Sequence, residues 1–174
     1  LATLLEEWNA DLRSLTIFGP VPEREPCRAR FWSAVDSLSR LTRLHLFDLF
    51  ESTLPEEMSV LSQLEHLTLI RYENRLDHDF AQLSPRCTSL TLGSCRLTPH
   101  SLRSAVMLNR EWTQSLTSLR LCHIFMNLSY DVPIDNCNQV FQTLCSHFTN
   151  ITTLDITYYR VSFGHCCGIH RESR

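Results

Sequence analysis

The sequence predicts an α/β solenoid: a curved parallel sheet of about six short strands on the concave side, with helices and loops on the convex side. Three observations carry this expectation. A three-position apolar template recurs six times, its internal spacing is that of a strand, and the residues between copies shift toward helical spacing.

The template is an apolar residue, two others, leucine, one other, then leucine or isoleucine. It reads Leu12, Leu15 and Ile17; Leu41, Leu44 and Leu46; Leu64, Leu67 and Leu69; Cys87, Leu90 and Leu92; Leu116, Leu119 and Leu121; and Ile151, Leu154 and Ile156. The central leucines 15, 44, 67, 90, 119 and 154 are separated by 29, 23, 23, 29 and 35 residues. The first four separations fit repeat units of roughly 20 to 29 residues, and the fifth implies an insertion. The last two apolar positions of each copy are two residues apart, so both side chains project from the same face of a strand. Strands are therefore expected near 12–17, 41–46, 64–69, 87–92, 116–121 and 151–156. One such strand cannot bury its apolar face alone. Stacked neighbours can, and each buried leucine or isoleucine then contributes about 1.5 to 3 kcal/mol.

Between the strands, Leu54, Met58 and Leu61 share a helical face, with Pro55 tolerated in a first turn. Segment 101–116 carries Leu102, Val106 and Met107 on one side, with Thr98-Pro99 as its start. Val140, Phe141, Leu144 and Phe148 do the same before the last strand. Segment 19–26, rich in glycine and proline, is expected as a loop. Segment 127–138, with Pro133 inside it, is expected as the insertion. The repeat domain spans 1–164, and 165–174 forms an irregular tail. Neither end carries the polar cap that repeat arrays use to stay soluble.

Bulk composition fits one folded domain of 174 residues, with 43% hydrophobic and 20% charged residues. The net charge is −3 and the signs are mixed along the chain, which leaves no basic footprint for nucleic acid and no polybasic strip for a membrane surface. Apolar runs such as 105–108 are too short to span a bilayer, and no secretory leader pattern is visible. The chain opens on Leu1, which predicts a piece of a longer protein. Its eight cysteines could form a disulfide framework. Cys87, however, fills a leucine slot, and Cys95 and Cys145 lie in apolar contexts where a thiol acts as a small hydrophobe. The expectation is reduced thiols in an intracellular protein, cytoplasmic or nuclear. Sequons at Asn127 and Asn150 hardly exceed the roughly one expected by chance.

These motifs resemble the leucine-rich-repeat superfamily across nearly the whole chain. The variable unit length, the helical returns and Cys95-x-Leu97 after Leu90-x-Leu92 are similar to its intracellular branch, which includes ribonuclease-inhibitor-like proteins and the F-box adaptors of ubiquitin ligases. Leu97-Thr98-Pro99-His100-Ser101-Leu102 is similar to the leucine–threonine step that opens the helical half there. Two departures stand out. The asparagine or cysteine expected after the strand occurs only at Cys95, while Leu49, Tyr72, Ile124 and Tyr159 hold equivalent positions. No F-box pattern precedes Leu12. The resemblance implies non-catalytic protein–protein recognition, as the substrate-recognition part of an F-box type ubiquitin-ligase adaptor. The alternatives are a leucine-rich-repeat scaffold or inhibitor without a ubiquitin link, and a secreted or receptor ectodomain. The expected partner is another protein, with no cofactor and with a small-molecule ligand disfavoured.

In such an architecture the outward strand residues line the concave face. They form three columns, the last of which reads Phe18, Phe47, Ile70, Gly93, Cys122 and Thr157. Exposed aromatics beside arginine and histidine are what an interface core looks like. The expected partner-binding residues are Arg43, His45, Phe47, His66, Thr68, Ile70, Arg120 and Asp155. The competing reading turns Phe18 and Phe47 inward as structural residues.

Enzymatic signatures are missing. The four glycines form no phosphate-cradling loop. The best metal candidate, 165–170, packs two histidines and two cysteines too tightly to close a tetrahedral site. No particular pairing of cysteine with histidine marks a nucleophile. One compositional absence remains: all sixteen basic residues are arginine. Lysine is the ubiquitin acceptor, so a protein working beside a ubiquitin ligase gains by lacking it, although codon bias gives the same pattern.

Overall fold

The computed structural model describes residues 11–19, 24, 26–48, 54–55, 58–71, 83–95, 99–122 and 135–157. Six five-residue strands form one sheet: β1 (Ser14–Phe18), β2 (Arg43–Phe47), β3 (His66–Ile70), β4 (Ser89–Gly93), β5 (Ser118–Cys122) and β6 (Thr153–Thr157). Every pairing is parallel, and the spatial order is the chain order. The register aligns the template residue for residue. Leu15, Leu44, Leu67, Leu90, Leu119 and Leu154 form one inner column, and Ile17, Leu46, Leu69, Leu92, Leu121 and Ile156 the other.

Each strand begins two residues later than the template suggests and ends one later. The cause is how the chain enters the sheet. Leu41, Leu64, Cys87 and Leu116 are fully buried, yet they precede the ladder. After each, and after the partly buried Ile151, two successive amides converge on one carbonyl of the preceding unit. Thr42 and Arg43 donate to Arg13, Glu65 and His66 to Thr42, Thr88 and Ser89 to Glu65, Thr117 and Ser118 to Thr88, and Thr152 and Thr153 to Thr117. That shared acceptor turns the chain into the strand only after the first apolar side chain is seated in the core.

The exit is equally regular. Gly19, Asp48, Arg71 and Ser94, each the first residue after a strand, have φ of +88°, +60°, +53° and +51°. Their amides donate to the carbonyls of Phe47, Ile70, Gly93 and Cys122, the last strand residues of the following unit. For a residue other than glycine this left-handed conformation costs about 1–2 kcal/mol, which the inter-unit hydrogen bond helps to offset.

The returns pack on the leucine side of the sheet and share one hydrophobic cluster with it. They comprise α1 (Cys27–Asp36), a 3-10 turn (Ser59–Gln63), α2 (Pro99–Leu108), α3 (Arg110–Ser115) and α4 (Asp135–His147). Among the described residues the α-helices occur only in the 29- and 35-residue units. Between β2 and β3 the connection is shorter. Leu54, Met58 and Leu61 are buried there as their spacing suggests, but not from an α-helix. Pro55 favours extended backbone at Leu54, and Met58 is itself extended, with φ −123° and ψ 111°.

Other expectations change in detail. Helix α1 has no counterpart in the sequence reading, although Phe31, Trp32 and Val35 are buried at helical spacing. Segment 101–116 is two helices, broken where Asn109 leaves helical geometry at φ −144° and ψ 70°. The Asn109 carboxamide oxygen accepts from Trp112 N at 3.2 Å, and its amide donates to Leu83 O, so the break ties α3 to the preceding unit. Val106 is buried, but Met107 is 86% exposed rather than on the core side. The last residues assigned to the 127–138 insertion, from Asp135 onward, form the first turn of α4. Leu144 and Phe148 are buried as expected. Cys27, Cys87, Cys95, Cys122 and Cys145 are free; Cys87 and Cys95 are buried, whereas Cys145, expected in an apolar setting, is exposed.

Polar clamps join the returns. The residue before the first template position reaches back one unit at three places. Arg40 pairs with Asp11 at 2.7 Å, Gln63 donates to Leu38 O at 2.8 Å, and Asn150 donates to Gln114 O at 2.5 Å. Asp36, at the end of α1, accepts from Val60 N at 2.8 Å and Ser59 Oγ at 3.1 Å. At the far end of the sheet, Leu154 is 51% exposed because no described unit lies beyond β6.

Two buried tryptophans differ in one respect. Trp112 Nε1 donates to Cys87 O at 3.1 Å, and its ring meets Phe148 edge-on at 5.8 Å. Trp32 Nε1 has no acceptor among the described residues. Losing a buried hydrogen-bond partner costs about 1–3 kcal/mol beyond lost volume, so Trp112→Phe is expected to lower stability by about 2–3 kcal/mol. Trp32→Phe removes an orphaned donor and is expected to cost less than about 1 kcal/mol. Urea unfolding of the two variants checks the difference.

Candidate functional site

Alternation along each strand sends the second and fourth residues into the core and the other three to the opposite face. No described element covers that face. Its three columns are Ser14, Arg43, His66, Ser89, Ser118 and Thr153; then Thr16, His45, Thr68, Thr91, Arg120 and Asp155; then Phe18, Phe47, Ile70, Gly93, Cys122 and Thr157. Phe18 and Phe47 lie on this open face and not in the core. Their rings stack with centroids 4.6 Å apart and planes 14° from parallel, and Phe18 is 73% exposed. Ile70 extends the apolar column. Its Cδ1 occupies the space a Cβ on Gly93 would need, so Gly93 is buried beneath it.

The charged residues divide into paired and unpaired sets. Arg120 and Asp155 are register partners on β5 and β6 and meet at 2.9 Å. Arg71 and Asp48, the left-handed residues of adjacent units, meet at 2.9 Å at the rim. That contact is an ion pair without hydrogen-bond alignment at the buried Asp48 Oδ1. Arg43, His45 and His66 form the unpaired set on β2 and β3. Arg43 lies directly across the ladder from His66, and no described carboxylate forms an ion pair with any of the three. His45 Nδ1 and Thr68 Oγ1 are 2.9 Å apart, which leaves Nε2 for a ligand.

Burial holds the His45 pKa below its ordinary value, and His66 and Arg43 push it the same way. Burial raises the Cys122 thiol, Asp155 raises it further and Arg120 opposes. In the core, burial pushes the Cys87 thiol up to about 11. Neither is a thiolate nucleophile near neutral pH.

Of the expected site residues, Arg43, His45, Phe47, His66, Thr68 and Ile70 are brought together on β2 and β3. Arg120 and Asp155 lie beyond β4 and engage each other. The Asp48–Arg71 pair was not foreseen. Its signal was present in the chain: the two residues are 23 apart, the same separation as Leu44 and Leu67, so opposite charges were already in register. The histidine–cysteine segment 165–170 and Asn127 lie outside the described residues, as do Leu49, Tyr72, Ile124 and Tyr159. Among the described residues no group of three or more potential metal ligands is assembled, and no helix is long and apolar enough to cross a membrane. No family model matches the chain, and no curated protein matches its sequence.

The lowered pKa of His45 sets a direction for pH dependence. The unfolded chain binds this proton more readily than the folded one. Stability attached to His45 is therefore complete above the ordinary histidine value of about 6.5. It declines as pH falls below that value and levels off below the folded pKa. Between pH 7 and 5, His45→Gln is expected to lose stability less steeply than the parent, as read from urea midpoints across the range.

Proposed function

We propose that the open face of the sheet is a protein-recognition surface, and that the chain acts as a non-catalytic leucine-rich-repeat module. The observation that carries this reading is the Phe18–Phe47 stack, exposed on a face no described element covers, beside Arg43, His45 and His66. Apolar rings flanked by such residues suit the centre of an interface. The sequential parallel units are compatible with a repeat solenoid and supply a rigid platform for these side chains.

The test compares proteins captured by the parent, by Phe47→Ser and by Met107→Ser, which alters the helical side. A partner lost with Phe47→Ser, retained with Met107→Ser and accompanied by an unchanged melting temperature is the expected result. A large drop in melting temperature for Phe47→Ser assigns the ring to structure instead. An unchanged set of partners overturns the reading.

The finer proposal is that this intracellular module serves as the substrate-recognition part of an F-box type ubiquitin-ligase adaptor. Helical returns in the longer units favour it, and so does a sequence whose sixteen basic residues are all arginine. Lysines introduced at exposed sites, as Arg30→Lys and Arg86→Lys, are expected to shorten the cellular half-life in a proteasome-dependent manner. An unchanged half-life removes the support that the missing lysines lend.

A further inference from the structure

We propose that the β2–β3 part of the open face binds an acidic peptide segment whose carboxylates lie two to four residues from an aromatic side chain. This rests on the recognition-surface reading and adds the chemistry of the partner.

Charge complementarity carries it. The chain has a net charge of −3, and two of the arginines on or beside the open face are matched internally, Arg71 by Asp48 and Arg120 by Asp155. Arg43, His45 and His66 are not. They occupy adjacent strands, with Arg43 and His66 directly opposed. Arg43 is a guanidinium with no described carboxylate paired with it, and His45 and His66 add ring nitrogens on the same two strands, so an incoming carboxylate gains a charge-assisted partner there. Glu65, next in sequence to His66, is exposed and forms no ion pair among the described residues.

Placement along the strand sets the spacing. Arg43 and His66 stand at the first strand position, His45 at the third, and Phe18, Phe47 and Ile70 at the fifth. At about 3.3 Å per residue, Arg43 is roughly 13 Å and His45 roughly 7 Å from Phe47 along β2. An extended peptide advances by nearly the same amount per residue. One lying along the strands therefore sets its acids over Arg43 and the two imidazoles when an aromatic residue two to four positions away meets the Phe18–Phe47 stack.

The test uses the protein labelled for backbone NMR and a synthetic peptide with a central phenylalanine and paired glutamates three and four residues to either side. With peptide at up to about 1 mM, which detects even weak binding, amide shifts confined to β2, β3 and the Phe18 end of β1 are expected, weakening as salt rises. Arg43→Glu and Arg43→Gln each weaken binding about tenfold or more, equivalent to about 1.4 kcal/mol. Both alter an exposed side chain, and the amide spectrum reports whether the fold is kept. A peptide with alanine for phenylalanine binds more weakly, and one with lysine for glutamate does not bind. Equal binding of the lysine peptide, still lost with Phe47→Ser, overturns the acidic assignment while leaving the recognition surface intact. Binding of a phosphoserine peptide but not the glutamate peptide overturns the assignment to carboxylates. Absence of shifts with every peptide overturns the inference, and the partner comparison then decides the broader reading on its own.

Discussion

A five-residue strand with two leucines cannot satisfy either its backbone or its side chains alone. Its amides and carbonyls point sideways, and its apolar pair points down with nothing beneath it. Both needs are met only when the next unit lies alongside in register, so stacking is the constraint on which everything else rests. The gradient along the sheet shows it. Leu44, Leu46, Leu67 and Leu69 are almost wholly buried between neighbours, whereas Leu15 and Ile17 at one end and Leu154 and Ile156 at the other remain partly open. Stability in such an array is a chain of nearest-neighbour contributions.

With the inner columns fixed, the outer ones are fixed as well, because a slip of one residue would exchange the two faces. Direct cross-strand neighbours follow: Phe18 on Phe47, His45 beside Thr68, Arg120 on Asp155. Substitutions in these columns change surface chemistry without disturbing the leucines below, which separates what holds the sheet together from what it presents.

This separation explains which parts of the fold could be read in the sequence. The strands were legible because leucine at every other position repeats without regard to the length between copies, and the face columns came with them. Strand entry was not, because Leu41 and Leu64 look like strand residues yet are buried just before the ladder. The returns were less legible. In α1, Arg28 and Arg30 obscure the apolar pattern of Phe31, Trp32 and Val35, and between β2 and β3 a helical spacing is satisfied by a shorter turn. On the site, residue types pointed to the β2–β3 cluster. The pairing of Arg120 with Asp155 required knowing that a 35-residue unit closes in the same register as a 23-residue one.

The left-handed residues that end the strands bear on that last point. Gly19, Asp48, Arg71 and Ser94 leave the sheet through the same backbone geometry, although the stretches that follow them differ in length and content. The departure angle is thereby uncoupled from whatever comes next. Segments can be lengthened behind the sheet, from a bare turn after β2 to a pair of helices after β4, while the register of successive strands stays constant. The architecture can thus vary its bulk freely on one side and keep a fixed ruler on the other.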